Sequence, residues 1–125
     1  AHSIPESNGL LIETDYGRVF HTGDWKLDPT PVLGNPTSPE RLRAIGDLGI
    51  AAMVCDSTNA FVDREAGSEA EVYDGLLKVV GEAPGRVVVT TFASNAARLH
   101  TIGRVAEETG RRVAIAGRSI ERYLK

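Results

Sequence analysis

The sequence predicts an α/β protein. A strand hairpin and one further strand fill the first half, and a parallel, Rossmann-like layer fills the second. Three observations carry this. Apolar runs at 10–12, 19–20, 50–55, 87–89 and 113–115 are long enough for strands and too short for helices. Between the later runs, apolar residues recur at helical spacing: Val72, Leu76, Leu77 and Val80, then Ala96, Leu99, Ile102, Val105 and Ala106. The order after residue 67 is helix–strand–helix–strand–helix, which makes a right-handed parallel layer the default.

Each element has a local cause. Asp15-Tyr16-Gly17 supplies turn chemistry between two apolar runs, so 9–23 reads as a hairpin. Pro29, Pro31, Pro36 and Pro39 keep 24–39 from persisting as helix or central strand. Ser38 is placed to cap a short helix that has Pro39 at its first position. Ile50 to Cys55 is apolar without alternation, as in a strand buried on both faces, with Cys55 as a small buried hydrophobe. Residues 59–67 read as a linker, and Ser68 with Glu71 forms a capping box for the next helix. Pro84-Gly85 breaks that helix. Ser94 or Asn95 caps another, which Gly110 ends. Gly117-Arg118-Ser119 opens the last.

Bulk properties narrow the function. A net charge of −3 implies no generally basic surface, so a polyanionic partner would need a local basic patch or a metal. One cysteine excludes an internal disulfide framework and fits a reducing compartment. No apolar run approaches a membrane span, and no signal-peptide pattern precedes the first strand. The chain opens without Met and stops within a helical pattern, so it is read as an internal segment of a larger protein.

Three polar clusters follow strand-like runs: Gly23-Asp24, Asp56-Ser57-Thr58-Asn59 and Ser94-Asn95. Open α/β sheets bind ligands beyond the carboxyl ends of their strands. Taken singly, each cluster is more often a turn or a cap. His2 and Asp24 offer imidazole and carboxylate, the usual ligands of Zn²⁺, although two residues do not complete a site. His21 reads as a hydrogen-bonded, partly buried strand residue and His100 as a surface or packing residue of a helix. The helix starts at Ser94-Asn95 and Arg118-Ser119 offer backbone N–H groups for phosphate, with ordinary capping the plainer alternative.

"HSIPES", "HTGDWKLDPTP", "CDSTNA", "TFASN" and "AGRS" occur in this order along essentially the whole chain. Together they resemble the ribonuclease J family, which has a metallo-β-lactamase fold with an inserted β-CASP domain. The resemblance implies that residues 1–66 are the C-terminal part of a metallo-β-lactamase-type segment and that 67–125 begin the parallel-sheet β-CASP domain. It implies that His2 is a metal ligand, that Asp24 bridges two Zn²⁺ ions (Mn²⁺ is the alternative), and that Asp56 is the acid of the first β-CASP motif. It implies cleavage of RNA, both 5′→3′ exonucleolytic and endonucleolytic, in RNA processing and decay. The whole protein would be cytoplasmic, off the membrane, and a homo-oligomer or part of an RNA-degrading complex. Contacts from Ser94, Asn95, Arg118 and Ser119 to RNA are a further expectation, not carried over from the family.

The His-x-His-x-Asp-His motif that supplies most of the metal ligands is absent from these residues. The 125 residues alone are therefore expected to hold two metals weakly and to leave RNA uncut. Two other readings stay open: a related metallo-hydrolase of another phosphodiester or ester, and a non-catalytic α/β binding module whose Asp residues are turns.

Overall fold

A computed structural model describes residues 2–4 and 7–123. Pro5 and Glu6 of the first quoted motif, and Leu124 and Lys125 of the last predicted helix, lie outside the described residues, as does Ala1. Strands β1 (Leu10–Thr14) and β2 (Gly17–His21) form the expected antiparallel hairpin, with Thr14 opposite Gly17 across a two-residue turn. The Thr14 hydroxyl accepts from the Tyr16 N–H and donates to the Gly17 carbonyl, and Gly17 takes a φ of 133° that favours glycine.

After the proline-rich loop comes α1 (Pro39–Asp47). Ser38 Oγ accepts from the Arg41 N–H at 3.2 Å and Pro39 opens the helix, as the sequence requires. Strand β3 (Ile50–Val54) returns parallel to β2, giving a three-stranded sheet of order β1-β2-β3. A bulge beside Arg18 and Val19 leaves Ala51 as the extra residue on β3. Arg18 braces this corner, donating to Glu13 on β1 and to the Leu48 carbonyl just past α1.

Helices α2 (Glu69–Glu82) and α3 (Ala96–Glu108) pack against each other and hold the buried core: Val80, Ala97, Val105 and Ala106. The buried face of α3 is turned from the predicted one. Ala97 and Thr101 line it, while Ala96, Leu99 and Ile102 are only half-buried. Small residues at successive turns let the helix axes approach closely, which bulkier side chains would prevent. Arg98 clasps Glu69 through two bonds of 2.6 and 3.1 Å, and Arg104 lies over the Tyr73 ring at 4.6 Å. The Tyr73 hydroxyl donates to Glu108. At the end of α3, Gly110 (φ 65°) allows the Arg111 N–H to reach the Ala106 carbonyl and its own N–H to reach Glu107. Arg111 then donates to the Ala83 and Gly85 carbonyls and so satisfies the end of α2. The last helix, α4 (Arg118–Tyr123), is short.

Three expectations are corrected. β3 is not buried on both faces: Met53 is 63% exposed and Val54 49%. Among the described residues α1 is the main helix packed on it, and burial of a parallel strand needs a layer on each side. Cys55 accordingly lies past the strand and is half-buried. Residues 87–89 and 113–115 run without strand pairing among the described residues, and Val88 is 81% exposed. A strand is completed by a neighbour's hydrogen bonds, which an apolar run cannot supply for itself.

Two substitutions test the helix pair by thermal unfolding. Thr101 is 1% exposed and its hydroxyl lacks a hydrogen-bond partner among the described residues, so Thr101→Val should raise stability by about 1 kcal/mol. Gly110→Ala should lower it by about 1 kcal/mol, because a Cβ is disfavoured at positive φ.

Candidate functional site

Parallel pairing puts the carboxyl ends of β2 and β3 at one edge of the sheet, so the loops after them emerge side by side. The pairing continues one step past the strands: the Thr22 N–H donates to the Val54 carbonyl at 2.9 Å. The Asp56 N–H then donates to Thr22 Oγ1 at 3.4 Å. Trp25 crosses the same gap, its indole N–H donating to Cys55 Sγ at 3.1 Å and to the Asp56 carbonyl at 3.2 Å. Asp24 lies between Thr22 and Trp25 in sequence and is therefore held at the edge where Asp56 stands. Gly23 makes the turn between them. Its φ is 63°, and a Cβ there would come within 3.1 Å of the Asn8 carbonyl oxygen.

The two acids differ in their surroundings. Asp24 is exposed. Asp56 is half-buried and accepts the Thr58 N–H at 3.0 Å, a local turn. The Thr58 backbone and hydroxyl hold its carboxyl below the usual carboxylate range, against a smaller upward push from burial, and the nearby His2 charge adds to the lowering. His2 is thus brought within electrostatic reach of Asp56. His2 Nδ1 is 3.1 Å from Ser3 Oγ. With Nδ1–H as donor, the Nε2 lone pair is left open to a ligand.

The third cluster is used up by the fold. Asn95 caps α3, its Oδ1 accepting the Arg98 N–H at 2.9 Å. The Ala96 N–H goes to the Ser94 carbonyl and the Ala97 N–H to the Ser3 carbonyl at 3.4 Å. The N–H groups expected to cradle phosphate at this helix start are already engaged, so the capping alternative holds there. The Ser3 contact does, however, bring the His2 segment to α3. Ser94, Arg118 and Ser119 are exposed, and α4 has too few turns to carry a helix-end anion site. His21 is hydrogen-bonded as expected, its Nδ1 accepting the Gly23 N–H at 3.0 Å, but it is exposed rather than partly buried. His100 is exposed on α3.

Sequence reasoning missed Asp28, which is 5% exposed. Its Oδ1 accepts from Ser68 Oγ at 2.7 Å and from the Thr30 N–H at 3.0 Å, and its Oδ2 accepts from the Glu69 N–H at 3.1 Å. Lys26 Nζ lies 3.7 Å from Oδ2. Thr30 Oγ1 donates to Ser68 Oγ, which also accepts the Ala70 N–H. One cluster therefore caps α2 and fastens the Asp24 loop to it. Burial pushes the Asp28 carboxyl up, but the bonds from Ser68, Glu69 and Thr30, with the Lys26 charge, outweigh it and leave it below the usual range. A groove of about 710 Å³ runs beside this cluster, lined by Trp25, Lys26, Thr30, Asp56, Thr58 and Ser68 among others.

A metal fits these residues only in part. The donor types at the edge suit Zn²⁺. Among the described residues, though, no three His, Cys, Asp or Glu side chains are grouped to hold an ion. No helix among them is long and apolar enough to cross a membrane.

Residues 84–125 match the family model for the β-CASP domain of ribonuclease J. Curated relatives align along nearly the whole chain. The chain is 47% identical over 123 residues to ribonuclease J of Sinorhizobium meliloti, covering 98% of this chain and 22% of that protein. It is 43% identical over 122 residues to ribonuclease J of Thermus thermophilus, covering 98% of this chain and 21% of that one. Against ribonuclease J of Corynebacterium glutamicum it is 46% identical over 124 residues, covering 99% and 17%. The chain thus spans about a fifth of the length of these relatives.

The Asp28 cluster makes a pH-dependent prediction. Its folded pKa is lowered, so its contribution to stability is present above the unfolded value of about 3.9 and is lost as pH falls through the folded value. Asp28→Asn should destabilise by about 1–3 kcal/mol at pH 7. In denaturant titrations, its gap from wild type should narrow below about pH 4.

Proposed function

The chain is a segment of the ribonuclease J family, and on that premise we propose that it forms the junction between the two catalytic domains of a metal-dependent ribonuclease. Residues 1–66 would belong to the metallo-β-lactamase fold and 67–125 to the start of the β-CASP domain. α3 lies within the matched stretch 84–125 and α2, just before that stretch, packs on it, which supports that boundary. The observation that carries the reading is the shared sheet edge: Thr22 and Trp25 tie the Asp24 loop to Asp56, and His2 acts on Asp56 electrostatically.

His2 would offer Nε2 and Asp24 its carboxylate to two Zn²⁺ ions, with Mn²⁺ as the alternative; the remaining ligands would come from outside these residues. The chemistry such ions supply when bound is activation of water near neutral pH and neutralisation of phosphate charge. Asp24 is exposed at a loop start and would lend its carboxylate to such ions. Asp56, pinned through Oδ1 by Thr58, stays ionised at neutral pH and would place a negative charge within reach of His2. Ser3 Oγ, 3.1 Å from His2 Nδ1, would accept the Nδ1 proton in the neutral tautomer that leaves Nε2 free for an ion. The groove between Trp25, Lys26 and Thr58 would admit a phosphodiester backbone, with Lys26 as its cation. Ser94, Arg118 and Ser119 are exposed and are proposed to touch RNA further along the chain, and Asn95 to shape that surface as the α3 cap.

The substrate is then RNA, cut 5′→3′ from its end and internally, by a cytoplasmic enzyme that is a homo-oligomer or part of an RNA-degrading complex. In the intact protein, Asp24→Ala should reduce metal-dependent hydrolysis of end-labelled RNA to background. Asp56→Ala should lower it about 10–100-fold. Wild-type rates for Asp24→Ala would sink the assignment. RNA binding that survives a chelator, with no cleavage, would favour the non-catalytic module.

A further inference from the structure

We propose that Asp28 is a positioning residue: it latches the loop that carries Asp24 to the N-terminus of α2, so that the second half of the chain sets where the Asp24 carboxylate stands. The mechanical link rests on geometry alone, and its consequence for catalysis rests on the ribonuclease reading. The loop is pinned twice. Trp25 fixes one end to Cys55 and Asp56. Asp28 fixes the other to Ser68 and Glu69, forty and forty-one positions away.

Only Lys26 and Leu27 separate the two pins, and Lys26 reaches back to Asp28. Pro29 restricts Asp28 to extended backbone, and Pro31 stiffens the next step. A shift at Asp28 therefore has little slack in which to dissipate before it reaches Trp25, the neighbour of Asp24. Ser68 already caps α2 from within, accepting the Ala70 N–H. The Asp28 carboxylate adds a tie between distant segments, which a cap alone would not need. Being buried, it cannot exchange those donors for water without the cluster opening.

Trp25 is the reporter. In the intact protein labelled with 5-fluorotryptophan, its fluorine resonance is assigned by its disappearance in Trp25→Phe. Asp28→Asn and Ser68→Ala should each shift or broaden that resonance while the far-ultraviolet helix signal persists. Thr30→Val removes one hydroxyl of the cluster and spares the carboxylate, so it should move the resonance the same way by less and retain the fold if the others do not. The kcat for RNA should fall about tenfold with KM within about twofold, as expected for a misplaced group rather than lost binding. A Trp25 resonance unmoved in folded Ser68→Ala and Thr30→Val overturns the latch. A moved resonance with unchanged kcat overturns its role in placing Asp24. A moved resonance in a protein that hydrolyses no RNA supports the latch and overturns the ribonuclease reading.

Discussion

A carboxylate withdrawn from water must find donors, and Asp28 finds them on three segments of chain: Thr30 beside it, Lys26 before it, and Ser68 with Glu69 far beyond it. That requirement organises the junction of the two halves. The helix start needs acceptors for its unpaired N–H groups, and the buried acid needs N–H and O–H groups around it. Each demand answers the other. The proline-rich loop, which has no regular structure to hold it, thereby gains a fixed end.

The opposite end of that loop depends on strand direction. Because β3 lies parallel to β2, both chains leave the sheet at the same edge, and Thr22 and Trp25 can bond across to 54–56. An antiparallel β3 would have sent Asp56 to the far edge. The crossover through α1 that parallel pairing demands is thus the structural cause of the two acids standing on loops at one edge. The segment around His2 lies within electrostatic reach of Asp56 and is tied to α3 through Ser3, whose carbonyl takes the Ala97 N–H.

The apolar surface is unevenly covered. Between α2 and α3 it is closed, with Val105 2% exposed. Around β3 it is open, and a cavity of about 610 Å³ lies between α1 and the sheet, lined by Phe20, Leu42, Ile45 and Met53 among others. Ridges of small residues on α3 allow close helix packing, whereas one short helix cannot cover a twisted sheet. The extended segments at 87–89 and 113–115 face the same difficulty.

Much of the local structure was legible because its causes are local. Asp15-Tyr16-Gly17 makes its turn, Ser38 and Ser68 cap their helices, and Gly110 ends α3, each through atoms a few residues away. The clusters at Asp24 and Asp56 were legible as polar residues following strands, though each taken singly reads more readily as a turn. Asp28 was not: in "KLDPTP" it looks like one more loop residue, and its partners lie forty positions on. The buried face of α3 was misjudged because periodicity finds apolar residues but not which of them a neighbouring helix will touch. The sequence by itself determined the turns, the caps and the residue types able to bind a metal or phosphate. Tertiary structure alone decided which acid is buried, which helix N–H groups are spent on capping, and that Asp24 and Asp56 share an edge, because hydrogen bonds between distant segments depend on the folded path rather than on spacing along the chain.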